Sequence, residues 1–107
     1  MKRFLFYIFI LIFFSLISCK KNSSDDTTPP VITLIGSPDV NHQKGTPYTD
    51  EGATALDNID GDITSKIVVS NLVDVNIEGT YYVTYNVADN AGNDAVEVRR
   101  KVDVMEM

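Results

Sequence analysis

The sequence contains no tryptophan, a single cysteine and a single histidine. One cysteine excludes a disulfide within the chain, so packing and hydrogen bonds must hold any folded part together. His42 is the only histidine, and no serine lies in a Gly-x-Ser-x-Gly elbow, so the usual residues of nucleophilic catalysis are missing. We therefore predict that the protein is not an enzyme and that His42 is a solvated side chain.

Long apolar runs are also scarce, because one segment at the N-terminus contains nearly all of the consecutive apolar residues. Residues 4–17 are apolar apart from Ser15, and the basic residues Lys2 and Arg3 precede them. The run fits the apolar region of a signal peptide, about 7–15 residues, and is shorter than the roughly 20 residues that span a bilayer. We predict that residues 1–18 are a signal peptide.

The end of this run has a distinctive pattern, Leu16, Ile17, Ser18 and Cys19. It resembles the lipobox of bacterial lipoproteins. The resemblance implies that Cys19 becomes the first mature residue, carries a thioether-linked diacylglycerol and is acylated on its amino group with a fatty acid such as palmitate. The protein is then expected in the outer membrane, held by its lipid anchor on Cys19. The alternative for Cys19 is a buried free thiol.

Basic residues are outnumbered, with nine against 15 acidic residues in the whole chain. Removal of residues 1–18 takes Lys2 and Arg3 away and leaves a net charge of −8. Nucleic acids and anionic membrane surfaces are poor partners for this charge, whereas a cation is a better one. We predict no nucleic-acid partner.

The segment after the cysteine has no apolar residue that could enter a core. We predict that residues 19–29 are a disordered, lipidated polar tether. The acidic pair Asp25 and Asp26 resembles the surface-export signals of lipoproteins in the Bacteroidetes, although it lies several residues further along. This similarity adds the cell surface to the predicted location.

From residue 30 onward, short β segments alternate with turn residues. The central segment follows Glu78-Gly79 and places Tyr81, Val83, Tyr85 and Val87 on one face. Strands are predicted at residues 31–35, 40–43, 53–56, 63–70, 81–87 and 94–104, with a further short segment at 72–76. About seven short strands favour a small all-β immunoglobulin-like β-sandwich over residues 30–104, followed by a tail at 105–107.

Three details of the packing follow from strand alternation. Ile67 and Val69 are predicted on the inner face of their strand, and Val96, Val98, Val102 and Val104 share the inner register of the last strand. Arg100 occupies a position of this register where an apolar residue is expected. Its guanidinium is predicted to reach water or a carboxylate along the core edge, or else the strand contains a bulge.

Several motifs in order along the chain are specific enough to identify a family. They are Pro-Pro-Val-Ile-Thr-Leu at 29–34, Tyr48-x-Asp50-x-Gly52-Ala53, Asp60-Gly61-Asp62-Ile63-Thr64, Gly79-Thr80-Tyr81-x-Val83-x-Tyr85, Asp89-x-Ala91-Gly92-Asn93 and Arg100-x-Val102-x-Val104. Together they resemble the bacterial surface immunoglobulin-like repeat that also occurs in some pesticidal crystal proteins. The resemblance implies a spacer or adhesive module without catalytic residues.

These observations predict a cell-envelope or cell-surface lipoprotein that displays one non-catalytic binding or adhesion domain, with a protein or a carbohydrate as ligand. The alternative is a structural display or spacer element without a specific ligand. A third and weaker alternative is a carbohydrate-active enzyme that uses paired carboxylates such as Asp60 and Asp62, which requires a cleft and one raised pKa.

The densest polar cluster lies between residues 57 and 62, and a second cluster follows at residue 89. Hard cations such as Ca²⁺ bind six to eight oxygens, which carboxylate-rich loops can supply. The candidate metal ligands are Asp57, Asn58, Asp60, Asp62 and Asp89. The alternative is a plain acidic turn in which Asp and Asn side chains accept hydrogen bonds from backbone amides.

Overall fold

The computed structural model describes residues 26–107 and contains seven β-strands in two sheets. The strands are β1 (Val31–Leu34), β2 (Asp39–Gln43), β3 (Ala53–Asp57), β4 (Gly61–Asp62), β5 (Val68–Asn71), β6 (Gly79–Asn86) and β7 (Val98–Met105). A short 3₁₀-helix spans Thr64–Lys66. This architecture confirms the predicted immunoglobulin-like β-sandwich.

The two sheets have the strand orders β1-β3-β4 and β2-β7-β6-β5. All neighbouring strands are antiparallel except β2 and β7, which are parallel. The chain therefore crosses from one sheet to the other between β1 and β2, over residues 35–38. Gly36 has a φ of +85° in this crossover, a conformation that residues with a Cβ rarely adopt.

Strand β6 lies between β7 and β5, as the sequence predicted for the central segment. Its inward side chains Val83 and Tyr85 are at most 1% exposed. Val87, just beyond the strand, is buried, and the half-buried Tyr81 packs against the same core. The core that they join consists of small and β-branched residues: Ile32, Ala53, Ala55, Ile63, Ala95, Val102 and Val104. Alanines on β3 allow the two sheets to approach each other closely.

The predicted strand at 63–70 is wrong in its first half. Residues 64–66 form the 3₁₀-helix, because the Thr64 amide donates to Asp62 Oδ1 (3.0 Å) and the Thr64 hydroxyl accepts from the Ala55 amide (3.0 Å). Such local side-chain bonds compete with strand pairing. Val69 lies in edge strand β5 and is 51% exposed, so it is not the inner-face residue that was predicted.

The last strand begins four residues later than predicted. Pairing of β7 with β6 starts at Val98 opposite Tyr85, and Val96, which precedes it, is 82% exposed. Val98 is half-buried, and Val102 and Val104 are buried as predicted. The register runs from Val98 to Val104 without a bulge at Arg100.

The predicted signal peptide, the predicted lipidation site Cys19 and the predicted tether up to residue 25 lie outside the described residues. Asp26, which lies within the predicted tether of residues 19–29, is buried, and Pro30 is buried as well. Between residues 26 and 107 no helix is long and apolar enough to cross a membrane.

Candidate functional site

Three aspartates from distant parts of the chain meet at one end of the sandwich. Asp57 is the last residue of β3, Asp89 follows β6, and Asp26 precedes β1. Since β1 and β3 are antiparallel with Val31 opposite Leu56, the residues before β1 lie beside those after β3. We refer to Asp26, Asp57 and Asp89 as the acidic pocket.

The acidic pocket is tight and shielded from solvent. One carboxylate oxygen of each residue lies within 4.8 Å of the corresponding oxygens of the other two. Asp26, Asp57 and Asp89 are 8%, 7% and 6% exposed. Among residues 26–107, no lysine or arginine forms an ion pair with any of them.

Asp57 is held by the turn that follows it. Its Oδ2 accepts hydrogen bonds from the amides of Ile59 (3.0 Å) and Asp60 (2.9 Å). Its other oxygen, Oδ1, is buried and has no hydrogen-bond partner. A buried carboxylate oxygen without a donor is costly, so it is a feature that requires an explanation.

Asp89 is held by a loop that folds back on itself. Its Oδ1 accepts from the Asn93 amide (2.8 Å), and its Oδ2 accepts from Asn93 Nδ2 (3.0 Å). Gly92 has a φ of +90°, which directs the chain into this return. Burial alone raises the pKa of Asp89, but the hydrogen bonds from Asn93 outweigh it and the pKa lies below its usual value.

Asp26 is joined to the same loop. Asn93 Nδ2 donates to the Asp26 carbonyl oxygen (2.9 Å), and the Asp26 side chain accepts from the Thr28 amide (3.0 Å). Burial raises the pKa of Asp26, and the neighbouring carboxylates of Asp89 and Asp57 raise it further. The pKa of Asp26 is raised because burial and the two neighbouring carboxylates all disfavour its charged form.

The structure brings together two of the five predicted ligands, Asp57 and Asp89. Asp60 lies at the rim, where its Oδ2 accepts from the Asn90 amide (2.8 Å), and Asp62 is exposed and accepts from the Thr64 amide. Asn58 is exposed. These three are not part of the acidic pocket. Asp26 was missed, because only the register of β1 on β3 places it beside Asp57.

A second buried polar cluster is centred on Arg100, which is 0% exposed. Its Nη1 donates to Asp50 Oδ1 (2.7 Å) and to the Tyr85 hydroxyl (3.0 Å), and its Nε donates to the Ser37 carbonyl (2.8 Å). Its Nη2 donates to the Ile35 carbonyl. The guanidinium reaches a carboxylate, as predicted, but inside the sandwich rather than in water.

Both carboxylate oxygens of Asp50 accept hydrogen bonds in this network. Tyr48 donates to Oδ1 (2.7 Å), while the Tyr85 hydroxyl and the Gly52 amide (3.0 Å) donate to Oδ2. Burial, followed by the bond to Asp50, raises the pKa of Tyr48 to about 12. Since its donors and acceptors are satisfied internally, the Arg100 network holds the crossover between the sheets and offers no ligand site.

The remaining residues considered from the sequence have structural contacts. His42 Nε2 lies 2.8 Å from the Thr46 carbonyl and 3.0 Å from its hydroxyl, and the ring packs edge-on against Tyr48 at 5.2 Å. His42 is therefore half-buried and not the solvated side chain that was predicted. Tyr82, on the outer face of β6, packs beneath the Arg99 guanidinium at 4.1 Å.

Comparison with solved structures gives neighbours of similar fold. The lipoprotein BT2262 of Bacteroides thetaiotaomicron is 27% identical with a TM-score of 0.62, over 72% of this chain and 38% of that one. Two structures from Clostridium perfringens ZmpB follow. One contains CBM51-2 in complex with GlcNAc and INT domains, and it is 28% identical with a TM-score of 0.57, over 73% of this chain and 17% of that one.

The other ZmpB structure contains the M60 catalytic domain with CBM51-1 and CBM51-2. It is 26% identical with a TM-score of 0.56, over 73% of this chain and 8% of that one. This chain therefore spans well under half the length of each of these neighbours. No curated protein sequence matches this chain.

The family comparison covers nearly the whole sandwich. The family described as "Bacterial surface protein, Ig-like domain" matches residues 32–104, from β1 into β7. This range contains every motif quoted from the sequence, except for Pro29, Pro30 and Val31 at the start of the first motif. The chain belongs to the bacterial surface immunoglobulin-like domain family.

Proposed function

We propose that this protein is a lipid-anchored, non-catalytic binding module that presents one immunoglobulin-like domain at the outer membrane or cell surface. The family membership and the similarity to a Bacteroides lipoprotein support a surface location. The observation that favours binding over a plain spacer is a pair of exposed apolar side chains, Val31 and Leu56, on the outer face of β1 and β3.

The exposed side chains of β1 and β3 on this outer face are Val31, Thr33, Thr54 and Leu56, and the exposed Asp62 of β4 lies opposite Leu56 at the margin. Val31 and Leu56 lie directly opposite each other in the register and are 66% and 61% exposed, and Thr33 lies opposite Thr54. Beside them a depression of about 210 Å³ is lined by Val31, Val96 and neighbouring apolar residues. Exposed apolar side chains surrounded by polar residues are typical of a contact surface for another protein.

The binding role can be tested with full-length protein in detergent, immobilised and exposed to envelope proteins and to a glycan array. We expect a protein to be retained by the wild type and lost from Val31→Asp/Leu56→Asp, because two charges then face an apolar partner. Leu72→Asp is the matched control, since Leu72 is 74% exposed and lies outside both sheets. Retention of nothing favours the spacer role, and retention of glycans alone favours a carbohydrate ligand.

The anchor has its own test. Metabolic labelling with a palmitate analogue should tag the wild-type protein and leave Cys19→Ala untagged, because the lipobox places acylation on that residue. Equal labelling of both proteins contradicts the anchor without affecting the binding test.

The enzyme alternative has little support in the site geometry. A carbohydrate-cleaving general acid needs a raised pKa. Hydrogen bonds from the Thr64 side chain and amide instead lower the pKa of Asp62. The Asp60 carboxylate is occupied by the Asn90 amide.

A further inference from the structure

We infer that the acidic pocket of Asp26, Asp57 and Asp89 is a divalent-cation site, and that the cation joins the segment before β1 to the loops that follow β3 and β6. Carboxylate oxygens are the ligands that hard cations prefer, and the pocket contains no histidine or cysteine. Ca²⁺ is the favoured ion, because it accepts irregular carboxylate geometry, whereas Mg²⁺ demands a near-ideal octahedron.

Two independent observations carry this inference. The first is geometric, because two oxygens on opposite sides of one Ca²⁺ at about 2.4 Å are about 4.8 Å apart. The three carboxylates already lie within that spacing. The second is the buried Oδ1 of Asp57, which has no partner although Oδ2 of the same side chain accepts two amide bonds. A cation supplies the partner that this oxygen lacks.

The charges point to the same ligand. Three carboxylates, each more than nine-tenths buried, lie together without an ion pair to any lysine or arginine of residues 26–107. Lys66, the cation near the rim, donates instead to Asn90 Oδ1 (2.7 Å). Mutual repulsion in a poorly hydrated site is relieved by a bound divalent ion.

The site also has a structural consequence for the chain. Residues 57, 89 and 26 belong to three separate segments, and Asn93 already links two of them by donating to both the Asp26 carbonyl and Asp89 Oδ2. A cation fixes Asp26 to the sandwich, so the ordered domain begins at residue 26. The sequence predicted that the domain begins at residue 30. If Cys19 carries the proposed anchor, the cation shortens the free connection between lipid and domain.

The test is a calorimetric titration of purified full-length protein in detergent with CaCl₂, together with thermal unfolding in chelator and in millimolar Ca²⁺. We expect a dissociation constant on the order of 10⁻⁴ to 10⁻³ M, as in extracellular calcium modules. At tenfold excess over that constant the midpoint of unfolding should rise by about 5–10 °C. Mg²⁺ at equal ionic strength should give a clearly smaller shift.

The decisive variants remove one charge each. Asp26 lies outside both sheets, and Asp26→Asn should abolish the calcium-dependent shift of the unfolding midpoint. In chelator this variant should still unfold cooperatively, at or above the wild-type temperature, because it removes one of three mutually repelling charges. Asp62→Asn is the matched control and should respond to Ca²⁺ like the wild type. An equal response of Asp26→Asn and wild type, no calcium binding by the wild type, or an equal effect of Mg²⁺ overturns the proposal.

Hydrogen exchange adds a readout that charge screening does not mimic. The Thr28 amide donates to the Asp26 side chain. If the cation fixes this segment, the amides of Thr27, Thr28 and Val31 should gain protection in Ca²⁺ but not in equivalent NaCl. Unchanged protection in Ca²⁺ contradicts the joining of the segment to the pocket.

Discussion

At the scale of single residues, the buried pair of Arg100 and Asp50 illustrates how a charge can belong to a core. The guanidinium is fully buried, and its donors bond to Asp50, Tyr85 and the carbonyls of the crossover. Removal of one partner of such a pair leaves an uncompensated buried charge and costs about 3–5 kcal/mol. Replacement of both by apolar groups is much less costly, so the presence of the pair is weak evidence that it stabilises the fold.

The pair predicts how stability depends on pH. Burial alone raises the pKa of Asp50, but hydrogen bonds from Arg100, Tyr48 and the Gly52 amide outweigh it, and the pKa is lowered. A carboxyl whose pKa is lower in the folded state stabilises the protein above its unfolded pKa of about 3.9 and loses that contribution as the pH falls through the folded value. We expect the melting temperature to fall as the pH drops below about 4.

NMR titration of the Asp50 carboxyl carbon measures this directly. It should titrate below about 3.9, the value of a free aspartate. A titration of Asp50 at or above that value shows that the bond to Arg100 does not persist in solution.

At the scale of elements, β6 joins the core to the polar network. Val83 and Tyr85 fill the space between the sheets, and the Tyr85 hydroxyl extends to Asp50 and Arg100. Edge strand β5 is exposed along all four residues, so it contributes little to the core. The stability of the domain therefore depends on β6 and on its partner β7.

Tyr85→Ala should leave the domain largely unfolded. Loss of a buried large aromatic side chain costs about 3–5 kcal/mol, against a total of about 5 kcal/mol at the lower end for small domains. Tyr85→Phe keeps the ring and removes the hydroxyl, so it should cost only about 1–3 kcal/mol. Denaturant unfolding followed by circular dichroism measures both.

Tyr82→Ala is the control on the opposite face of the same strand. Its ring packs beneath Arg99, a contact of about 0.5–1 kcal/mol, so this variant should remain folded. If Tyr85→Ala and Tyr82→Ala unfold at similar denaturant concentrations, the domain does not depend on Tyr85 as its packing suggests.

At the scale of the whole molecule, the acidic pocket connects the start of the folded region with two loops at one end of the sandwich. The outer face of β1 and β3 that carries Val31 and Leu56 lies on the same three-stranded sheet whose strand β3 ends in Asp57. Calcium bound at the proposed site would therefore fix the segment that leads into this face. Binding of calcium and binding of a partner are measured by separate experiments, so either proposal can fail alone.

Local pattern was sufficient for much of the fold. Alternation at residues 81–87, turn residues at 78–79 and 89–93, and prolines before β1 identify a small sandwich with β6 at its centre, because period-two burial is a property of the strand itself. The two aspartates Asp57 and Asp89 were identified as ligand candidates for a similar reason, since acidic loops are visible in the sequence.

The partners of those residues were decided by tertiary structure. Asp26 looked like part of a polar tether, and only the antiparallel register of Val31 with Leu56 brings it beside Asp57. Arg100 looked like an edge residue, and only the crossover at 35–38 supplies carbonyl acceptors that allow its full burial. Sequence alone determined which segments alternate between apolar and polar residues and which loops are charged, because these are short-range properties. The contacts between residues 26 and 93 and between residues 50 and 100 depend instead on how the sheets are assembled.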